Sequence, residues 1–324
     1  MKEHLPGLAD IEAAARRIEG VASRTPLVES PALSKRAGCE VYLKLECFQP
    51  IKVFKIRGAF NKVSQVPEKK VVAASSGNHG IAVAYSSRLL GKACTVVVPE
   101  TAVKEKVDTI VEYGAEVVKY GKLSSEREAS AKEMSKRSDA RFIHPFNDPE
   151  IIAGQGTCGL EIADSLQDFD SVLVPVGGGG LISGISIAMK SRRPNVKIFG
   201  VEPAGAPKLS TSLRAGKITE VPSPASIADG LRPSALGDLT FEACSRNLDG
   251  ALTVTEDEIM DATRVLIREA RIIAEPSGAA PLAPLLSRAR DDFGRRVVVV
   301  ISGGNISLDL LARVLSSGAP PQGR

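Results

Sequence analysis

Four short stretches carry residue types that could do chemistry at the spacing in which they occur. Lys55 lies within Val53-Phe54-Lys55-Ile56-Arg57-Gly58-Ala59. An amine flanked by Phe54 and Ile56 is partly desolvated, which lowers its pKa and makes it nucleophilic. Gly177-Gly178-Gly179-Gly180 follows an apolar run and precedes a helical pattern that begins at Leu181. Four glycines let the backbone turn tightly and approach a ligand closely. The helix start beyond them aims free amides and partial positive charge outward, as a phosphate cradle does. Ser75-Ser76-Gly77-Asn78-His79-Gly80 repeats the plan with hydroxyls and an amide, a turn suited to an anion such as a carboxylate. Ser302 closes the run Val297–Ile301, where ligands commonly bind at the carboxyl edge of a parallel sheet.

The glycine segment by itself leaves the phosphate's owner open. Gly178, Gly180 and the small Ser183 nearly fit the dinucleotide pattern G-x-G-x-x-G, and Glu202 is placed for a ribose hydroxyl. Other chemistries are less well supported. The five cysteines, Cys39, Cys47, Cys94, Cys158 and Cys244, are odd in number and far apart, with no CxxC pair. They read as buried thiols in a reducing, cytoplasmic compartment. Three histidines are too few and too separated for an obvious metal site.

The elements that must position these stretches alternate. Strands are expected at Val71–Ser75, Cys94–Val98, Glu116–Lys119, Arg141–His144, Ser171–Val176, Lys197–Val201 and Arg296–Ile301. Helical patterns are expected at His79–Leu90, Val103–Tyr113, Glu126–Lys136, Gln155–Leu166 and Leu181–Arg192. Apolar runs separated by helix-length segments predict βαβ units and parallel sheets. Thr255-Glu256-Asp257-Glu258 is a capping box that should open a helix running to about Arg271. Pro276-Ser277-Gly278 should break the chain, and Gly318–Arg324 should fray. The 324 residues, 43% hydrophobic and 25% charged, suit a globular protein of two domains. No apolar run approaches a membrane span, and the first residues lack the core of a signal peptide. The net charge of +4 comes from scattered lysines and arginines with few aromatics, which speaks against nucleic acid.

In their order along the chain, these segments resemble the fold-type II pyridoxal-phosphate enzymes. Within them they resemble the serine/threonine dehydratase and serine racemase family, nearest its short, catabolic type. The resemblance runs from Thr25-Pro26-Leu27 to Ser302-Gly303-Gly304-Asn305. It includes Lys44-Leu45-Glu46, the Phe54–Ala59 and Ser75–Gly80 segments, Ile152-Ala153-Gly154-Gln155-Gly156-Thr157, Pro175–Gly180 and Glu275-Pro276-Ser277-Gly278. It implies a tryptophan-synthase-β-like α/β fold with the cofactor in the cleft between two parallel-sheet domains. The large domain would be 1–64 plus 148–324, and the small mobile domain 65–147. By resemblance, Lys55 forms the internal Schiff base, Phe54 lies against the cofactor ring, and Asn78 bonds its 3′-oxygen. Gly177, Gly178, Gly179, Gly180 and Leu181 hold the phosphate, and Ser302 faces the pyridine nitrogen. Ser75, Ser76, Gly77, Asn78 and His79 receive the substrate carboxylate, and Ser76 matches the second acid/base group of racemases.

The implied reaction is β-elimination of L-threonine and/or L-serine to 2-oxobutanoate or pyruvate plus ammonia. Serine racemase, or a dehydratase for hydroxyaspartate or phenylserine, is the neighbouring alternative. A nicotinamide oxidoreductase or a non-catalytic metabolite-binding protein are the alternatives from other classes. A homodimer or homotetramer is implied by resemblance only. Four positions depart from the family pattern. Lys52 and Val53 replace small residues before Phe54, and Lys52 becomes a rival to Lys55. Phe146 stands where racemases commonly have asparagine. Glu202 and Ala206 match a family cation site, but Lys208 replaces its aspartate, so no metal is expected. By resemblance to the short, catabolic type, no C-terminal regulatory module like that of biosynthetic threonine deaminases is expected.

Overall fold

The computed structural model describes residues 4–75, 77–102, 104–121, 124–287 and 293–316. Ser76, Val103 and the Gly318–Arg324 tail therefore lie outside the described residues. Ten strands form two sheets among them: β1 (Leu27–Glu29), β2 (Glu40–Leu45), β3 (Lys70–Ala74), β4 (Ala93–Val98), β5 (Glu116–Lys119), β6 (Arg141–Phe142), β7 (Ser171–Pro175), β8 (Lys197–Pro203), β9 (Gly250–Val254) and β10 (Arg296–Ile301). The larger sheet has the order β1-β2-β10-β7-β8-β9, and the smaller β5-β4-β3-β6. Only β1 runs antiparallel; its partner is β2. All other pairings are parallel, as the alternation of strands and helices predicts.

The β10 run is buried on both faces. Val297, Val299 and Ile301 enter one core, and Val298 and Val300 enter another, because successive side chains alternate across a strand. A third core lies under the smaller sheet and includes Val71, Ala73, Val96 and Val98. The helix Lys55–Val63, which the apolar pattern did not announce, packs Ile56, Ala59 and Val63 into that same core. Phe54, at its head, touches the core of the smaller sheet and one core of the larger. All four strands of the smaller sheet fall between residues 70 and 142.

Two helices differ from expectation for identifiable reasons. The helix expected at Gln155 starts at Pro149, because Asp148 accepts from the amides of Glu150 and Ile151 and proline suits a first helical position. Its residues Ile151 to Leu160 are buried without a break, so no polar face marks it in the sequence. The capping box at Thr255 forms as expected, with Thr255 Oγ1 accepting from the Glu258 amide and Glu258 Oε2 accepting from the Thr255 amide. That helix ends at Val265 and widens into a π-turn at Leu266–Ala270, stopped by Arg271 at φ 58°. Pro276, expected only to break the chain, also opens a short helix, Pro276–Ala279.

Candidate active site

The parallel strands deliver the four chemical stretches to their carboxyl ends. Beyond β10, Ser302 is buried, and its carbonyl accepts from the Phe54 amide at 3.1 Å. Val53 forms a bridge with Gly303, and Lys52 accepts from the Gly304 amide at 2.8 Å. The segment leading to Lys55 is thus laced to the strand end that carries Ser302. Lys52 itself is exposed, whereas Lys55 begins the helix and is half-buried.

Lys55 Nζ donates to the Pro145 carbonyl at 2.7 Å and lies 5.2 Å from the centre of the Phe54 ring. Burial lowers its pKa to about 8. The loop that receives it also backs the glycine run. A Cβ on Gly178 would stand 2.1 Å from the Phe146 ring, and one on Gly180 would stand 3.0 Å from the Phe146 Cβ. Gly179 has φ +95°, a conformation that favours glycine. Gly177 would meet the Gly230 carbonyl at 2.5 Å. Only bare backbone fits along this turn, and the helix Gly180–Arg192 leaves its leading amides without intrahelical partners. Thr240 Oγ1 fixes the turn by donating to the Gly178 carbonyl at 2.8 Å.

The turn after β3 is braced differently. Ser75 Oγ accepts from the Gly77 amide at 3.2 Å, and the helix Asn78–Leu89 follows. Asn78 is held at both ends of its side-chain amide. Its Oδ1 accepts from Asn305 Nδ2 at 2.8 Å, and its Nδ2 donates to Glu275 Oε1 at 2.6 Å. One Nδ2 hydrogen is left for a further acceptor. Glu275 is buried, and its Oε2 has no hydrogen-bond partner among the described residues. Burial, followed by repulsion from Asp229, raises its pKa to about 8. Lys106 approaches Gly77 and forms an ion pair with Asp229, adding a cation beside this turn.

The structure brings Phe54, Lys55, Asn78, Ser302 and the loop Gly177–Gly180 to the same ends of the two sheets. The His79 side chain points away from the turn's anion-binding groups into the smaller sheet's surroundings. Its Nε2 lies 3.0 Å from the Ile143 carbonyl, and burial lowers its pKa to about 3, so the ring is neutral and engaged within the smaller sheet. Only its main chain, in the first turn of a helix, can face an anion. Glu202 is also committed. Both of its oxygens accept main-chain amides, from Leu209 and Ser210, each at 2.8 Å, and the side chain is fully buried, out of reach of a ribose. The nicotinamide reading loses its acid on that ground. Pro145, Phe146, Thr240, Glu275 and Asn305 are the site neighbours that residue-by-residue reading did not single out. Glu275 and Asn305 lay inside quoted motifs, and Phe146 was noted only as a departure.

The glycine turn that tolerates no side chain, the desolvated lysine and the unpartnered carboxyl oxygen of Glu275 fit a phosphate-bearing, amine-reactive cofactor. Comparison with known proteins agrees. The profile of a family described as "Pyridoxal-phosphate dependent enzyme" matches residues 18–303. The chain is 42% identical to an L-threonine ammonia-lyase of Thermotoga maritima over 321 residues, covering 98% of this chain and 80% of that one. It is 40% identical to a catabolic L-threonine dehydratase of Escherichia coli (strain K12), covering 94% of each. Among solved structures, maize serine racemase superposes with a TM-score of 0.92 at 35% identity, over 96% of this chain and 97% of that one.

Proposed function

The chain belongs to the pyridoxal-phosphate dependent enzymes, and from that premise we propose that it is an ammonia-lyase acting on L-threonine and L-serine. The products are 2-oxobutanoate or pyruvate, with ammonia. The observation that carries the reading is Lys55, a desolvated amine at a helix head, pointed at the loop that backs the glycine turn. Bound pyridoxal phosphate supplies the electron sink for the pair left at Cα when its proton departs.

The residues of the chain do the rest. The amides of Gly177–Gly180 and Leu181 bind the phosphate, Phe54 lies against the ring, Asn78 bonds its oxygen and Ser302 faces its nitrogen. The turn Ser75–His79 holds the substrate carboxylate through hydroxyl, amide and main-chain N–H groups, with Lys106 adding positive charge nearby. Lys55 Nζ takes the Cα proton; an amine that titrates near pH 8 is close to the optimum for a general base at neutral pH. The β-hydroxyl then leaves as water by taking that proton back from the Lys55 ammonium, and the released enamine, as its imine tautomer, takes up water to give the 2-oxo acid and ammonia. The 65–147 unit closes over the substrate and excludes solvent. The enzyme works in the cytoplasm as a homodimer or homotetramer, without a metal ion.

Serine racemase is the second reading, favoured by the close superposition on the maize enzyme. It needs Ser76 as a proton donor on the opposite face. One experiment separates the readings. The holoenzyme should absorb in the visible, lose that band on borohydride reduction, and carry the label on Lys55 by mass mapping. With threonine, serine, hydroxyaspartate and phenylserine offered in turn, 2-oxo acid from the first two supports the lyase. Free D-serine in excess over pyruvate favours the racemase. A protein that stays colourless and unlabelled with added pyridoxal phosphate overturns both, and a label on Lys52 moves the catalytic amine.

A further inference from the structure

The family cation site implied by resemblance, Glu202 and the Ala206 carbonyl, does not fit a metal ion here. Lys208 Nζ is fully buried in its place. It donates to the carbonyls of Val176 at 2.7 Å, Leu231 at 2.8 Å and Ala206 at 3.2 Å. All three ammonium protons are thereby used. Glu202 Oε2 balances the charge at 3.7 Å. The Glu202 oxygens are in turn fixed by the Leu209 and Ser210 amides, the leading amides of the helix Lys208–Ala215.

The three carbonyls belong to three main-chain segments behind the glycine turn. Val176 is the residue before Gly177. Leu231 ends the turn Asp229–Leu231, whose Gly230 carbonyl abuts Gly177 and whose Gly230 amide donates to Ser277 Oγ at 3.0 Å. Ala206 follows β8. One positive charge gathers them. We propose that Lys208 is a positioning residue, a cation built into the chain that sets the glycine turn and frees the protein from any need for an added cation. This rests on reading that turn as the phosphate cradle. The spacing also says which ion could replace it. Magnesium demands oxygens at about 2.0–2.1 Å in near-octahedral array, and calcium about 2.3–2.6 Å. Carbonyls held at 2.7–3.2 Å around a nitrogen suit a monovalent ion of ammonium size.

The test is K208A, which removes the tethered charge and keeps Glu202 and all three carbonyls. Melting curves of the cofactor-free protein are taken in choline, ammonium, potassium and magnesium chlorides at equal ionic strength, and the affinity for pyridoxal phosphate is titrated in each. Wild type should melt at the same temperature in all four. K208A should bind the cofactor about tenfold or more weakly in choline. Ammonium or potassium should restore both its affinity and its melting temperature saturably, and magnesium should do so poorly. K208M, whose side chain fills the channel without charge, should be weakened and not rescued. K208A matching wild type in choline overturns the proposal, as does equal rescue of K208A and K208M. If K208A cannot be recovered folded, the wild type decides. Saturable stabilisation by any of the cations overturns the proposal, whereas indifference, together with resistance of Lys208 to reductive methylation in the folded protein, supports it. Failure of wild type to bind the cofactor would sink the family role of the glycine turn, while the cofactor-free melting curves would still report on Lys208.

Discussion

Glu46 and Glu275 are both buried glutamates, and they end in opposite states. Around Glu46, Arg57 donates through Nε at 2.7 Å and Nη2 at 2.8 Å, with Thr25 and Gln49 completing the shell. Burial pushes its pKa up, but the Arg57 charge and hydrogen bonds more than offset that, and the group titrates at about 2. Arg57 also grips Glu161 bidentately at 2.6 and 2.8 Å, and Lys44 joins from the other side. Glu275 has one donor, Asn78, and a second acidic neighbour, so burial prevails and it titrates at about 8. Burial alone does not set ionisation; the partner does. The first glutamate is part of a locked ionic cluster that holds the Lys55 helix. The second is a neutral carboxyl beside Asn78 at neutral pH, where the ligand-facing residues converge.

Removing the partner should erase the difference, with the largest effect. Arg57→Met leaves Glu46 and Glu161 without their shared counter-charge. Urea denaturation should show a loss of about 3–5 kcal/mol; a loss under 1 kcal/mol would mean the cluster is loosely held. Acid should unlock the same cluster in the wild type. Because the Glu46 pKa is lowered on folding, its contribution is complete above about 4.5 and is lost as pH falls through about 2. That amounts to about 3 kcal/mol at most, and E46Q should flatten the stability profile over that window. Glu275 has the opposite sign. Its pKa is raised on folding, so its favourable contribution is complete below 4.5 and is lost as pH rises through about 8. E275Q, which keeps an oxygen for Asn78, should therefore gain on wild type in thermal stability between pH 4.5 and 8; parallel profiles would show that Glu275 ionises freely. Thr255→Ala gives the scale of an ordinary exposed contact. Loss of that cap should cost about 1 kcal/mol, equally at every pH from 4 to 8.

Much of this architecture was legible, because strands buried on both faces announce themselves. Arg296–Ile301 is such a strand and coincides with its expected span; the more open Glu116–Lys119 coincides as well, although none of its residues is buried. The edge strands β1 and β9 went unmarked, since three partly exposed residues and a mostly half-buried Gly-Ala-Leu-Thr-Val carry little periodicity. The interior strand β2 also went unmarked, although its Val41, Leu43 and Leu45 alternate. The helix that carries Lys55 was read as a motif and not as an element. In the site, residue types pointed to Lys55 and the glycine turn from local neighbours alone. The Lys208 cage could not be read that way, because all three of its acceptors are main-chain oxygens, of Val176, Ala206 and Leu231, and a carbonyl has no letter. Glu275 needed the fold as well, because its state depends on Asp229, which only tertiary structure brings near.

β10 lies between β2 and β7, pairing Arg296 with Glu40 across 256 residues of chain. At about 5–20 residues per second, β2 leaves the ribosome roughly ten to fifty seconds before its parallel neighbour exists. The smaller sheet, complete once β6 has emerged, can fold in that interval. The larger sheet waits with β2 and β7 unjoined, their edges open to other chains or to chaperones. Because Ser302 follows the last strand of the larger sheet to be made, the nascent protein completes its pocket only after β10 has emerged.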